Sequence, residues 1–170
     1  MTSERPIRRA VYPGSFDPFH LGHENIVRRA ATLFDDLIIG VGINPEKVSN
    51  LSAQERVDAI RSVVTDLPNV SVVAFSGLAV RFVRSQSATF MVRGIRALAD
   101  TEYEFTMSLT NATMAPEIET VFLMADKEFT NLSSTLIRQI ATHGGELAPF
   151  LPSPIIDYVK NHYKQRGDNS

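Results

Sequence analysis

The sequence predicts an α/β protein built on one five-stranded parallel sheet with helices on both faces. Three observations carry this reading. Strand-like and helix-like segments alternate five times along the chain, the pattern that builds a parallel sheet through crossover connections. The run Leu37-Ile38-Ile39-Gly40-Val41-Gly42-Ile43 is apolar without alternation, as a strand covered on both faces must be. The unusual polar and cationic clusters all follow strands, on the edge where right-handed crossovers gather the loops and such sheets bind ligands.

Taken in order, Arg8 to Tyr12 reads as a first strand behind a polar stretch, residues 1–6, that is expected to fray. A helix is expected from about Gly22 to Phe34. There Ile26, Val27, Ala30, Ala31 and Phe34 recur at three- and four-residue spacing opposite Glu24, Arg28 and Arg29. Asn44-Pro45 ends the second strand, and Ser52-Ala53-Gln54-Glu55 is a capping box opening a helix with Val57, Ile60 and Val64 inward. Val70 to Phe75 makes a third strand, Leu78 to Ser85 a short helix, and Thr89 to Val92 a fourth strand that delivers the chain to Arg93-Gly94-Ile95-Arg96. The helix from about Ala99 to Ala115 carries apolar groups on more than one face, so part of its surface suits a subunit contact. Thr120 to Met124 is the fifth strand. Ser133-Ser134-Thr135 then cap a helix closed by Gly144-Gly145, and a last helix ends near Tyr163 before a solvated tail, residues 165–170.

At 170 residues the chain fits one domain, 1–170, able to bury roughly 70% of its unfolded surface. Without cysteine it has no disulfide, thiolate metal site or thiol nucleophile. A net charge of −2 gives no field for nucleic acid or an anionic membrane, so any anion site must be a local pocket. The N-terminus lacks a signal-like apolar run, and no apolar stretch approaches the roughly 20 residues that span a bilayer. A cytoplasmic protein is expected.

The connection Pro13-Gly14-Ser15-Phe16-Asp17-Pro18-Phe19-His20-Leu21-Gly22-His23 carries more chemistry than chain reversal requires. A helix N-terminus favours anions, and imidazoles there donate further hydrogen bonds to phosphate oxygens. Gly14 and Gly22 are expected to let a ligand or backbone approach closely. No third ligand stands at a spacing that would make His20 and His23 a metal site. Asp17 is expected to brace the turn through backbone N–H groups, and Tyr12 to be structural.

These residues resemble the signature of the nucleotidylyltransferase superfamily, written [HT]-x-G-H, and most closely the bacterial phosphopantetheine adenylyltransferases. Asn44-Pro45-Glu46-Lys47, Glu55-Arg56, Arg93 to Asp100, Glu102-Tyr103-Glu104, Asn111, Val121 to Met124 and Ser133-Ser134-Thr135 resemble that family in order and spacing, over about Arg8 to Pro152. The resemblance implies a Rossmann-like fold and reaction of ATP with 4′-phosphopantetheine to give dephospho-coenzyme A and pyrophosphate. Mg²⁺ would accompany ATP, with no protein ligand assigned to it. A homohexamer and coenzyme A as feedback ligand are further implications.

By the same resemblance Ser15, His23, Lys47 and Arg96 are the catalytic set. Nucleotide would be bound by Ser15, Phe16, His20, His23, Gly94, Ile95, Arg96 and Glu104, and by Phe129, Thr130, Asn131, Leu132, Ser133, Ser134 and Thr135. Ser15, Lys47, Leu78, Ala79 and Arg93 would bind phosphopantetheine. The chain departs from the family in having Val48-Ser49-Asn50 after the lysine and Ser15 where threonine is usual. Two other readings stand beside this one: a nucleotidylyltransferase acting on nicotinamide mononucleotide or transferring cytidylyl groups, and a catalytically silent sensor of adenylates.

Overall fold

The computed structural model describes residues 5–45, 49–96 and 98–167. In chain order the elements are β1 (Arg9–Gly14), α1 (Leu21–Leu33), β2 (Asp36–Ile43), α2 (Ala53–Val63), β3 (Val70–Ser76), α3 (Ala79–Ser85), β4 (Phe90–Ile95), α4 (Leu98–Met114), β5 (Glu119–Met124), α5 (Ser134–Thr142) and α6 (Ile156–Gly167). The strands form a single parallel sheet in the order β3-β2-β1-β4-β5. This is the Rossmann-like α/β architecture expected.

Strand alternation divides the core between the two faces. Ala10 and Tyr12 of β1, with Leu37, Ile39 and Val41 of β2, pack into a large cluster with Ile26, Val27 and Ala30 of α1, Ile60 of α2, Ile137 of α5 and Val159 of α6. Val11 and Ile38 point the other way, to Val80, Phe82 and Val83 of α3 and to Ala115 and Ile118 after α4. Interior β2 is buried from Leu37 to Val41, which is why its sequence shows no polar alternation.

Some boundaries differ from the sequence reading. β1 runs through Pro13 and Gly14, which stay in register with Gly40 and Val41. β4 continues to Ile95, because Arg93, Gly94 and Ile95 pair with Phe122, Leu123 and Met124 of β5; charge and glycine had suggested a loop there. Residues 165–167 belong to α6 rather than to a tail. Arg5 is tied to Asp35 at 2.6 Å, while residues 1–4 and 168–170 lie outside the described residues. Among the described residues no helix is long and apolar enough to cross a membrane.

The ladder between β1 and β4 is short, joining Ala10 to Phe90 and Val11 to Met91. Beyond it the two strands part. This is also where strand order reverses, so a crevice opens at the carboxyl ends of β1 and β4, as doubly wound sheets require.

Candidate active site

A cavity of about 490 Å³ occupies that crevice, in the size range of small-molecule sites. One wall is the turn between β1 and α1. Phe16 adopts a left-handed backbone, φ 50°, costly for a bulky residue and tolerated where surrounding structure enforces it. Its ring is buried against Gly14: a Cβ on Gly14 would lie 2.7 Å from Phe16 Cζ. Gly22 likewise makes room for the His20 ring, whose Cε1 would lie 3.0 Å from an added Cβ. The motif glycines therefore accommodate the protein's own aromatic rings, where the sequence reading expected close approach by a ligand or backbone.

His20 and His23 cap α1 reciprocally. His20 Nδ1 accepts from the backbone N–H of Gly22 at 3.1 Å and of His23 at 3.4 Å, and His23 Nδ1 accepts from His20 N–H at 3.2 Å. This is a capping box made of two imidazoles. The rings stack with centroids 3.6 Å apart, and Phe16 and Phe19 enclose His23 at 5.0 and 5.5 Å. An Nδ1 that accepts a hydrogen bond carries no proton, so in each neutral ring the proton resides on Nε2. Burial, then Arg96, pushes the His20 pKa down to about 3. His23 is also lowered well below the usual histidine value, by burial first and then by His20 and Arg96. Both line the cavity as neutral N–H donors.

Three guanidinium groups complete the polar wall. Arg93 of β4 binds Glu104 of α4 through two contacts of 2.6 Å and donates to Pro13 O at 3.1 Å. Burial works against its charge, and Glu104 more than offsets that. Arg96 pairs with Asp100 at 3.1 Å and donates to Leu132 O. Arg138 of α5, which the sequence reading missed, donates to Asp17 O at 2.7 Å and to Thr135 Oγ1 at 3.1 Å. Its position one turn into α5, after the Ser133-Ser134-Thr135 cap, was the available signal.

The N-terminus of α5 faces the same space. Ser133 Oγ accepts from Leu136 N–H at 3.1 Å, Ser134 Oγ donates to Pro18 O at 2.9 Å, and all three hydroxyl residues line the cavity. Asp17 braces backbone as expected, although on a different loop: it accepts from Asn50 N–H at 2.8 Å and Leu51 N–H at 3.0 Å. Arg56, another residue given no role by the sequence reading, is buried and bonded to backbone carbonyls of the same region.

The cavity thus brings together Ser15, Phe16, His20, His23, Arg93, Gly94, Arg96, Glu104 and Ser133 to Thr135. Ile95 is buried in the sheet. Phe129, Thr130, Asn131, Leu132, Leu78 and Ala79 do not line the cavity. Leu132 contributes its carbonyl to Arg96, and Leu78 and Ala79 open α3. Lys47 lies outside the described residues. The arrangement is one of fixed donors, suited to stabilising charge on transferring phosphates.

Linkage gives a pH signature. Both imidazoles have folded pKa values below the unfolded value of about 6.5. Below that pH the unfolded chain binds more protons, so this stability is present above about 6.5 and is lost as pH falls toward the folded values; for His20 the loss reaches about 1.4 kcal/mol per pH unit. Imidazole ¹⁵N spectra at pH 5.5 should show both rings neutral and protonated on Nε2. Imidazolium signals at that pH would contradict the assignment.

Comparison with known proteins agrees with this geometry. Residues 11–140 match the cytidylyltransferase-like family model. The phosphopantetheine adenylyltransferase of Desulforudis audaxviator is 45% identical over 159 residues, covering 94% of this chain and 98% of the relative. That of Rhodopirellula baltica is 51% identical over 154 residues, covering 89% and 86%. A crystal structure of a putative nicotinate-nucleotide adenylyltransferase from Vibrio parahaemolyticus superposes with a TM-score of 0.68 at 17% identity, covering 89% of this chain and 97% of that one; the likeness is one of fold. With relatives matched over nearly their whole length and a ligand crevice at the strand-order reversal, the chain belongs to the phosphopantetheine adenylyltransferases of the cytidylyltransferase-like family.

Proposed function

We propose that this protein transfers the adenylyl group of ATP to 4′-phosphopantetheine, forming dephospho-coenzyme A and pyrophosphate. The observation that carries the reading is the wall of neutral imidazole N–H donors and guanidinium groups around one crevice, in a chain 45–51% identical to relatives of that name. A phosphate oxygen of the acceptor attacks the α-phosphorus of ATP, one P–O bond forms, and the bond to the departing pyrophosphate breaks. The nucleophile is already an anion and needs no general base, so catalysis reduces to alignment and charge stabilisation.

In this reading His23 Nε2–H bonds the α-phosphate, and Ser15 and the Phe16 backbone lie between the substrates. Arg96 and the α5 N-terminus take the distal phosphates, aided by His20, Arg138 and Ser133 to Thr135. Gly94 and Ile95, with the segment from Phe129 to Leu132, form the nucleotide side. Arg93 serves the acceptor, with Glu104 holding its guanidinium rather than contacting the nucleotide. Lys47 reaches the acceptor phosphate and Leu78 and Ala79 its pantetheine arm, by resemblance to the family.

The substrate is MgATP. Among the described residues the cavity's carboxylates are already engaged, Asp17 by backbone N–H groups and Glu104 by Arg93, which supports a metal ion carried on the nucleotide's phosphates. Coenzyme A would occupy the same crevice as a feedback ligand, and cytoplasmic location goes with the reading. Tyr103, Phe105 and Leu109 of α4 are exposed, in keeping with assembly into a homohexamer. Light scattering on purified protein should give six times the chain mass; a monomer would contradict the assembly.

The reaction is tested by pyrophosphate release from ATP, Mg²⁺ and 4′-phosphopantetheine. Release only with nicotinamide mononucleotide, or only from CTP, would overturn it, and silence with every acceptor would favour a sensor. His23→Ala should lower kcat by at least ~10²-fold with ATP affinity little changed, as loss of a transition-state donor does. Normal turnover at saturation with collapsed ATP affinity would instead make His23 a ground-state ligand.

A further inference from the structure

The ladder between β1 and β2 ends at Gly14 and Val41. The next residues, Ser15 just past β1 and Gly42 of β2, do not pair with each other, although Gly42 still pairs with Phe75 of β3, and their carbonyls share one donor. Arg56 Nη1 donates to Ser15 O at 2.6 Å and to Gly42 O at 2.9 Å. Its Nε reaches Leu51 O at 3.2 Å and Ser52 O at 3.4 Å. Arg56 is only 2% exposed. A buried guanidinium is tolerated when its donors are met, and here the bonded acceptors are backbone carbonyls from three segments.

Those segments are the ones that must be held in relation for transfer. Ser15 starts the turn that carries Phe16 and the histidine pair. Gly42 lies near the end of β2, and Leu51 and Ser52 close the loop that follows it. Asp17 grips that loop from the turn's side, at Asn50 and Leu51. The guanidinium therefore replaces the missing rung of the sheet and fixes how far the two loops splay.

We infer that Arg56 is a positioning residue for the transfer: its planar fork sets the spacing between the turn after β1 and the loop after β2, across which the two substrates meet. The inference rests on the proposed adenylyl transfer. Misplacing reacting groups by about 1 Å can cost on the order of 10²-fold in rate. A lysine keeps the charge, but its single ammonium lacks the second arm: Nη1 holds the strand-end carbonyls of Ser15 and Gly42 while Nε holds those of Leu51 and Ser52.

The test uses Arg56→Lys and Arg56→Gln, with folded fraction measured by circular dichroism and turnover expressed per folded molecule. For Arg56→Lys, kcat should fall roughly 10- to 100-fold while the KM for each substrate stays within about 3-fold, the split of a lost alignment rather than a lost contact. The Gln variant should fall at least as far. Turnover per folded Lys variant within about 2-fold of wild type would overturn the inference, and so would failure of both variants to fold, which assigns Arg56 to stability alone. Wild type runs in parallel: its silence with 4′-phosphopantetheine counts against the proposed reaction, whereas an active wild type beside an unimpaired Lys variant counts against Arg56.

Discussion

The end of β1 has to leave the sheet, and the carbonyls it strands there are held by arginine. On one side Arg93 of β4 takes Pro13 O, two residues past the last rung to that strand. On the other Arg56 takes Ser15 O and Gly42 O, one residue past the last rung to β2. Unmet backbone acceptors in a buried place cost free energy comparable to a lost hydrogen bond, so both guanidinium groups are part of the fold before they are part of any site. Between them hangs the turn that aims α1 at the crevice. Phe16, in its left-handed conformation over Gly14, packs beneath that turn and seats His23.

What results is a wall of donors with little loose charge. Each arginine that lines the cavity already binds protein oxygens: Arg93 those of Glu104, Arg96 those of Asp100, and Arg138 the Asp17 carbonyl. The imidazoles are neutral, because two stacked rings in a buried cap cannot readily hold charge. Such groups are fixed before substrate arrives, and fixed dipoles need little reorganisation when charge moves during reaction. A looser set of solvated cations would bind polyphosphate too, but would give up that advantage.

Much of this was legible in the sequence. The apolar run of β2, the Ser52–Glu55 capping box and the cluster before α1 are local patterns, and each appears where the pattern placed it. The partners were not legible. Glu104 reaches Arg93 across eleven positions and Arg56 reaches Ser15 across 41, pairings that only the sheet order creates. Arg93 to Ile95 read as loop because charge and glycine dominate locally, whereas the ladder to β5 decides the matter. The motif glycines were read as room for a ligand or backbone, and only packed coordinates reveal the rings of Phe16 and His20 above them.

In the proposed reaction His23 meets the α-phosphate with an N–H. Its Nδ1 is occupied by His20 N–H and its proton sits on Nε2, so it has no lone pair to attack phosphorus. His20 is in the same condition, and neither ring can accept a proton from Ser15 to activate that hydroxyl. With neither imidazole available as nucleophile, the proposed transfer is a single in-line displacement. The most direct measurement is the stereochemical course with an ATP analogue made chiral at the α-phosphorus by sulfur substitution. Inversion in the dephospho-coenzyme A product is the predicted result; net retention would require a nucleotidyl-enzyme intermediate and would contradict this account.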